Sequence, residues 1–180
     1  MNKFKILFLI FILTNSSMLF SQQVTPVDLQ LSRHEGGYVS GKTFSTRDLK
    51  GKITAIFYVD PDHRTINDEA NQKLQEESFN LKFYQSFAII NMAATWLPNA
   101  ILDSALKNSQ KEFPSTHYVK DLNKSFVNKW KLADDNYQTI LLNELGDVLF
   151  NHVGVLDQMR TKELIQLIKK EISRLEKNKL

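Results

Sequence analysis

The stretch ITAIFYVDPDHR, residues 53–64, decides the fold of this chain. Its first seven residues are almost all apolar and rich in β-branched and aromatic side chains, and Gly51 and Asp60-Pro61 bound them. A run of this length between turn residues is typical of a strand that is buried on both faces of a sheet. The polar residues 60–64 therefore form a loop at the carboxyl end of a central strand, where open α/β sheets bind their ligands.

Helical and strand patterns alternate after this loop. We predict a helix from Thr65, its cap, to about Phe79, and then a strand at residues 86–92. Pro98 is well placed as the first residue of a second helix, which ends before Pro114. The remaining predicted elements are a short strand at 116–120, a short helix around 124–131, a hairpin of strands 138–143 and 148–153, and a last helix from Thr161. This order predicts an α/β domain with a central mixed sheet flanked by helices, ending in a β-hairpin and a C-terminal helix.

The N-terminal residues resemble an export signal. Lys3 and Lys5 precede residues 6–13, which are all apolar and too few for a bilayer span of roughly 20 residues. We expect a signal peptide at residues 1–21, export to the periplasm or beyond, and no stable membrane anchor after cleavage; a retained N-terminal anchor helix is the alternative. Residues 22–180 then form a single domain, with residues 22–52 as an N-terminal extension or hairpin.

Charge and composition exclude several classes of function. The chain has 23 Lys and Arg against 20 Asp and Glu, and without Lys3 and Lys5 the net charge falls from +3 to +1. A nearly neutral domain has no electrostatic footprint for nucleic acid. The chain has no cysteine, which excludes thiol-disulfide oxidoreductase and peroxiredoxin chemistry. Neither a Gly-x-Ser-x-Gly turn nor a glycine-rich phosphate loop is present, so the sequence indicates no cofactor and no particular enzyme class.

The predicted order of elements, with residues 41–44 and 49–59, resembles the entry to an exported thioredoxin-fold domain. Redox members of that fold carry Cys-x-x-Cys after the first central strand, where this chain has residues 60–64. They also carry a cis-proline before the hairpin, where this chain has Tyr137-Gln138-Thr139. Both parts of the redox apparatus are therefore missing.

A closer resemblance is to the YtfJ-like family of exported bacterial proteins, which have this fold without the redox cysteines. The matching residues are Arg64, Thr65, Glu69, Asn71, Ile89, Ile90, Asn91, Pro98, Ser104, Ser109, Lys111, Pro114, Val119, Asp121, Asn123, Trp130, Leu132, Leu142, Gly146, Val148, Gly154 and Leu156. The match extends from about Gly51 onward, but residues 60–63 differ from the small, glycine-containing loop of that family. The resemblance implies a fold and a compartment, and no reaction.

The loop of residues 60–64 is the first candidate site. Two carboxylates and an imidazole at Asp60, Asp62 and His63 are residue types that bind a divalent metal, and an Asp–His pair suits acid–base chemistry. The alternative is a polar turn whose shape Pro61 fixes.

Glu69, Asn71 and Trp96 are further candidates. Arg64, Glu69 and Asn71 form a polar cluster at the mouth of the site that the cysteines have vacated, or serve only as helix caps and surface groups. Because five residues separate Arg64 from Glu69, an ion pair on one helix face is disfavoured, and we expect Arg64 to fold back over the loop. Trp96 lies either in the core or beside a pocket. The leading hypothesis is a non-catalytic binding or scaffolding module that contacts an envelope protein through this loop and Trp96, and the alternative is a metal-binding protein.

Overall fold

A six-stranded mixed sheet forms the centre of the molecule, for which a computed structural model describes residues 24–178. The expected signal peptide, residues 1–21, lies outside these described residues. The strands are β1 (Gln30–Leu31), β2 (Gly36–Tyr38), β3 (Phe44–Ser45), β4 (Ile53–Val59), β5 (Tyr84–Asn91), β6 (Thr116–Asp121), β7 (Tyr137–Leu142) and β8 (Val148–Val153). The order in the main sheet is β2-β6-β5-β4-β7-β8, with β4, β5 and β6 parallel and the others antiparallel to their neighbours. The predicted central strand β4, the mixed sheet and the terminal hairpin are confirmed.

The helices are α1 (Asp68–Glu76), α2 (Asn99–Glu112), α3 (Ser125–Trp130) and α4 (Gln158–Lys177). The predicted cap at Thr65 is wrong, because a short turn at Pro61–His63 intervenes and α1 begins only at Asp68. The predicted start of α4 at Thr161 is also wrong. The Asp157 side chain accepts a hydrogen bond from the Arg160 N–H at 2.7 Å and starts the helix one turn earlier. No helix within residues 24–178 combines the length and the apolar character that crossing a membrane requires.

The two faces of the sheet are covered differently. Residues 53, 55, 57 and 59 of β4 point to the face that α1, α2 and α4 cover, which we call the helix face. The alternate residues, such as Ile56 and Tyr58, pack against α3 and the N-terminal segment on the opposite face. Because β4 is buried on both faces, its sequence is almost entirely apolar.

The N-terminal segment packs on the core of the opposite face. Its strand β1 pairs with β3, its strand β2 joins the edge of the main sheet against β6, and Leu31 and Phe44 are fully buried. The Trp130 indole N–H donates to the Val27 carbonyl oxygen at 2.9 Å. At the edge of the sheet the backbone approaches so closely that a Cβ on Gly36 would lie 1.9 Å from the Lys120 carbonyl oxygen, and Gly36 has a φ of 126°.

Candidate functional site

The polar loop, residues 60–64, lies at the carboxyl end of β4 and is organised by one buried carboxylate. Asp60 is 3% exposed. Its Oδ1 accepts the Asp62 N–H at 2.8 Å, and its Oδ2 lies 3.3 Å from His63 Nδ1. The Asp60 N–H donates to the Asn136 carbonyl oxygen at 2.9 Å, which ties the loop to the segment before β7. Asp60 therefore fixes the shape of the loop, as expected for a polar turn.

The outward-facing residues of the polar loop are Asp62, His63 and Arg64. Asp62 is exposed, and its Oδ1 accepts a hydrogen bond from the Thr95 hydroxyl at 3.2 Å. The Arg64 guanidinium donates to the Pro61 carbonyl oxygen at 3.1 Å, so the prediction that Arg64 folds back over the loop is confirmed. These contacts place the segment that follows β5 directly beside the polar loop.

The loop does not assemble a metal site. Both oxygens of Asp60 already have partners, and Asp62 turns toward Thr95. Within residues 24–178, no three His, Asp or Glu side chains are grouped so that they could hold a metal ion. The Asp–His contact expected for acid–base chemistry does form between Asp60 and His63. A hydroxyl activated by this pair would have to donate to His63, but the neighbouring Thr95 hydroxyl donates to Asp62.

A layer of buried polar residues behind the loop was missed by the sequence analysis. Asn91 and Asp121 end strands β5 and β6 and are 1% and 0% exposed. Asn91 donates to Asp134, which also forms an ion pair with Lys124 at 2.7 Å. Burial opposes ionisation of Asp134, but the hydrogen bonds from Lys124 and Asn91 outweigh it and hold the pKa of this carboxyl below its usual value.

Asp121 is the most fully hydrogen-bonded carboxylate of this layer. It accepts the Tyr58 hydroxyl at 3.2 Å and the N–H groups of Asn123, Ser125 and Phe126 at 3.3, 2.8 and 2.9 Å, so it caps α3. Burial, followed by the charge of Asp121, raises the pKa of the Tyr58 phenol far above its ordinary value, so this hydroxyl remains a donor. The signal for this cap is the aspartate before a short helix, within Asp121-Leu122-Asn123-Lys124-Ser125.

The other predicted site residues are not brought into one cluster. Glu69 forms an ion pair with Lys73 at 2.6 Å on the outer side of α1. Asn71 accepts a hydrogen bond from the Tyr137 hydroxyl at 3.3 Å. Trp96 is 86% exposed, so the expectation that it lies in the core or lines a pocket is wrong. Trp96 lies in the turn between β5 and α2.

Exposed apolar side chains occur in two segments that hydrogen bonds hold near the polar loop. Trp96 follows Thr95, whose hydroxyl donates to Asp62. Val155 and Met159, which are 59% and 70% exposed, lie after strand β8. Their segment is held near the loop by Asn67, whose side chain donates to the Gly154 carbonyl oxygen and accepts the Leu156 N–H. We call the polar loop together with Trp96, Val155 and Met159 the loop-end surface.

A second feature, also missed from the sequence, is a cleft of about 970 Å³ between α1 and α2 on the helix face. Helix α1 packs against α4 and helix α2 packs on β6, which leaves part of β4 and β5 uncovered between them. The floor carries the small side chains of Ser86 and Ala88. Phe57 is the one residue of β4 that is only partly buried, because its ring faces this helix cleft. Ser86 and Ala88 are small residues in a strand of mostly larger apolar residues, and this pattern is the sequence signal that could have predicted the cleft.

Tyrosines give the helix cleft a neutral, amphipathic wall. Tyr84, Tyr118 and Tyr137 line it, together with Phe57, Phe79 and Phe113. Burial is the main cause that raises the pKa of all three tyrosine phenols above the ordinary value, so they stay uncharged at neutral pH. The polar loop contacts the cleft at one end, where Pro61 and Arg64 contribute to its lining.

The fold and this site define a thioredoxin-like protein without redox cysteines. Similar solved structures include the exposed lipoprotein thioredoxin Etrx1 of Streptococcus pneumoniae (TM-score 0.57, 14% identity, covering 80% of this chain and 99% of that one). They also include a thiol-disulfide isomerase of Corynebacterium glutamicum (TM-score 0.57, 19% identity, 82% and 96% covered) and StoA of Bacillus subtilis (TM-score 0.53, 12% identity, 78% and 96% covered). At these identities the likeness concerns the fold alone.

Residues 21–171 match the family described as "Bacterial protein of unknown function (YtfJ_HI0045)", and the chain belongs to that family. No curated protein matches the sequence. The resemblance to YtfJ-like proteins is therefore confirmed. The family description gives no reaction, so any function must be argued from the site itself.

Proposed function

We propose that this protein is a redox-inactive binding module of the bacterial cell envelope, acting in the periplasm, which holds an envelope protein against its loop-end surface. The observation that carries the proposal is Trp96, the most exposed large apolar side chain of residues 24–178, at 86%. A tryptophan that stands in water next to a rigid polar loop is the residue type and setting of an interface hot spot.

Two further observations support this surface over others. Val155 and Met159 add exposed apolar area, and the exposed Asp62 and Arg64 supply charges of opposite sign. A surface that combines apolar and charged groups can select a partner by charge as well as by shape. The loop is also held in one conformation by Asp60, so binding would cost little ordering of the backbone.

Export of the protein forms part of this proposal. It rests on Lys3 and Lys5 and the apolar residues 6–13. The absence of cysteine from the chain fits a role in which the fold keeps its binding end without thiol chemistry.

The test is a crosslinking pull-down from envelope extract with three forms of the protein. One form is unchanged, one carries Trp96→Ala, Asp62→Ala and Arg64→Ala, and one carries Leu145→Ala as a matched control. Leu145 is 66% exposed but lies in the β7–β8 turn, at the other end of the sheet. The proposal predicts that a protein captured by the unchanged form and by the control is lost with the triple variant. Identical capture by all three forms, or capture by none, would contradict it.

A further inference from the structure

The helix cleft is a second concave feature, which shares only Pro61 and Arg64 with the loop-end surface. It is lined by alternate residues of β5 from Tyr84 to Ile90, a run of seven residues whose six steps span about 20 Å at ~3.3 Å per residue. Its volume of about 970 Å³ lies at the upper end of the range of small-molecule sites. The floor of the cleft is therefore long enough for one extended chain.

The chemistry of the lining changes along this length. Between its ends the cleft is formed by aromatic and aliphatic side chains together with neutral hydroxyl and amide groups. The charged lining residues are Arg64 and Asp68 at the end near the polar loop and Glu112 at the far end of α2. An apolar interior with charges confined to its ends is the pattern that an amphiphile requires, because the chain can be buried while its head group keeps charged partners.

Arg64 and Asp68 supply one charge of each sign at the same end. Neither forms an ion pair with another residue among positions 24–178. The hydrogen bond from the Arg64 guanidinium to the Pro61 carbonyl oxygen uses one of its five donors and fixes its direction. A guanidinium with free donors suits a phosphate, and a carboxylate beside it suits an ammonium group.

A peptide is a poorer occupant of this cleft. Strand β5, which forms the floor, is hydrogen-bonded to β4 on one side and to β6 on the other. No backbone edge is therefore available for pairing with an extended peptide, whose own N–H and C=O groups would be buried against largely apolar walls. An acyl chain has no such groups and loses nothing on burial.

We infer that the helix cleft binds a lysophospholipid with a zwitterionic head group. Its single acyl chain lies along β5 over Ser86 and Ala88, its phosphate is bound by Arg64, and its ammonium group is bound by Asp68. An extended palmitoyl chain is comparable in length to the run from Tyr84 to Ile90. This inference does not rest on the proposed protein partner, because Trp96, Val155 and Met159 do not line the cleft.

The experiment uses palmitoyl lysophosphatidylethanolamine below its micellar concentration, with binding measured by titration calorimetry and stoichiometry by native mass spectrometry. We expect one lipid per protein. Ala105→Phe fills the cleft from the exposed side of α2 and should weaken binding at least about tenfold by occupying the space of the chain. Ala100→Phe is the matched control, because Ala100 is exposed on the same helix but does not line the cleft, and it should bind like the unchanged protein.

Variants of the charged end test the head group. Arg64→Gln should weaken binding of the lipid about tenfold, the effect of one charge-assisted hydrogen bond. Asp68→Asn should weaken binding of the ethanolamine lipid but not of palmitoyl lysophosphatidylglycerol, which has the phosphate without the ammonium group.

Several outcomes would overturn the inference. Palmitate that binds as tightly as the ethanolamine lipid would refute the head-group assignment. Equal binding by the Ala105→Phe and Ala100→Phe variants would show that the lipid lies elsewhere. An apolar peptide that binds where the lipid does not would replace the inferred ligand class. Thermal unfolding of each variant shows that lost binding is not lost folding.

Discussion

Replacement of Asp121 by alanine should destabilise the protein strongly, because this residue organises the buried polar layer behind the polar loop. The Asp121 carboxylate is fully buried and accepts the Tyr58 hydroxyl and three backbone N–H groups around the start of α3. Loss of a capping carboxylate costs about 1 kcal/mol. The buried Tyr58 hydroxyl and Phe126 N–H are then left without an acceptor, at about 1–3 kcal/mol each.

The expected loss is therefore about 3–7 kcal/mol in the free energy of unfolding, measured by urea denaturation followed by circular dichroism. Asp147→Ala is the control, since Asp147 is exposed in the β7–β8 turn and should change stability by less than ~1 kcal/mol. In a Tyr58→Phe background the hydroxyl is absent, so Asp121→Ala should cost about 1–3 kcal/mol less. A loss below ~1 kcal/mol, or the same loss in both backgrounds, would refute the argument that this carboxylate stabilises the polar layer.

Three further predictions concern the core, the pH dependence and the edge of the sheet. Phe87→Ala should lower the free energy of unfolding by about 3–5 kcal/mol, because Phe87 is enclosed on the opposite face of the sheet. Phe57→Ala should lower it by only about 2 kcal/mol, because the Phe57 ring faces the helix cleft. Urea denaturation of both variants measures the difference. The hydrogen bond from Arg174 holds the pKa of Glu144 below its usual value, so this contribution to stability is present above pH ~4.3 and is lost as the pH falls through the folded pKa. The Arg174→Met variant should therefore be less stable than the unchanged protein at pH 7, and the difference between their free energies of unfolding should be smaller at pH 3. Gly36→Ala should cost more than ~2 kcal/mol through its clash with the neighbouring strand, and proteolysis of the N-terminal segment should become faster.

Each of these has a clear contrary result. Equal losses at Phe57 and Phe87 would mean that the cleft is closed in solution. If the difference in stability between Arg174→Met and the unchanged protein is the same at pH 7 and pH 3, the ionised Glu144 carboxylate is not stabilised by Arg174. Unchanged stability of the Gly36→Ala variant would mean that the backbone can relax at this edge.

The sequence predicted the elements that a local pattern specifies. Strand β4 was predicted to the residue, because a strand buried on both faces is a continuous apolar run between turn residues. The start of α4 was placed one turn late, since Gln158, Met159 and Arg160 are exposed or half-exposed and lie outside the apolar periodicity that begins at Leu164.

The two proposed binding surfaces were predicted only in part, because long-range contacts build them. The polar loop was recognisable from its residues, but the hydrogen bonds from Thr95 to Asp62 and from Asn67 to the segment after β8 join residues 33 and 89 positions apart. The helix cleft depends on the distance between α1 and α2, which no local pattern encodes. Glu69 was drawn into the predicted cluster by its nearness in sequence to Asn71, yet the helix turns its side chain outward to Lys73.

The most direct test of the proposed function is site-resolved photo-crosslinking in the intact envelope. A photoreactive phenylalanine analogue is placed in turn at position 96, at position 159 and at position 145, which are all largely exposed. The account predicts a covalent adduct to the same envelope protein from positions 96 and 159 and none from position 145. Adducts of the same yield from all three positions, or from position 145 alone, would contradict the assignment of the loop-end surface as the site of binding.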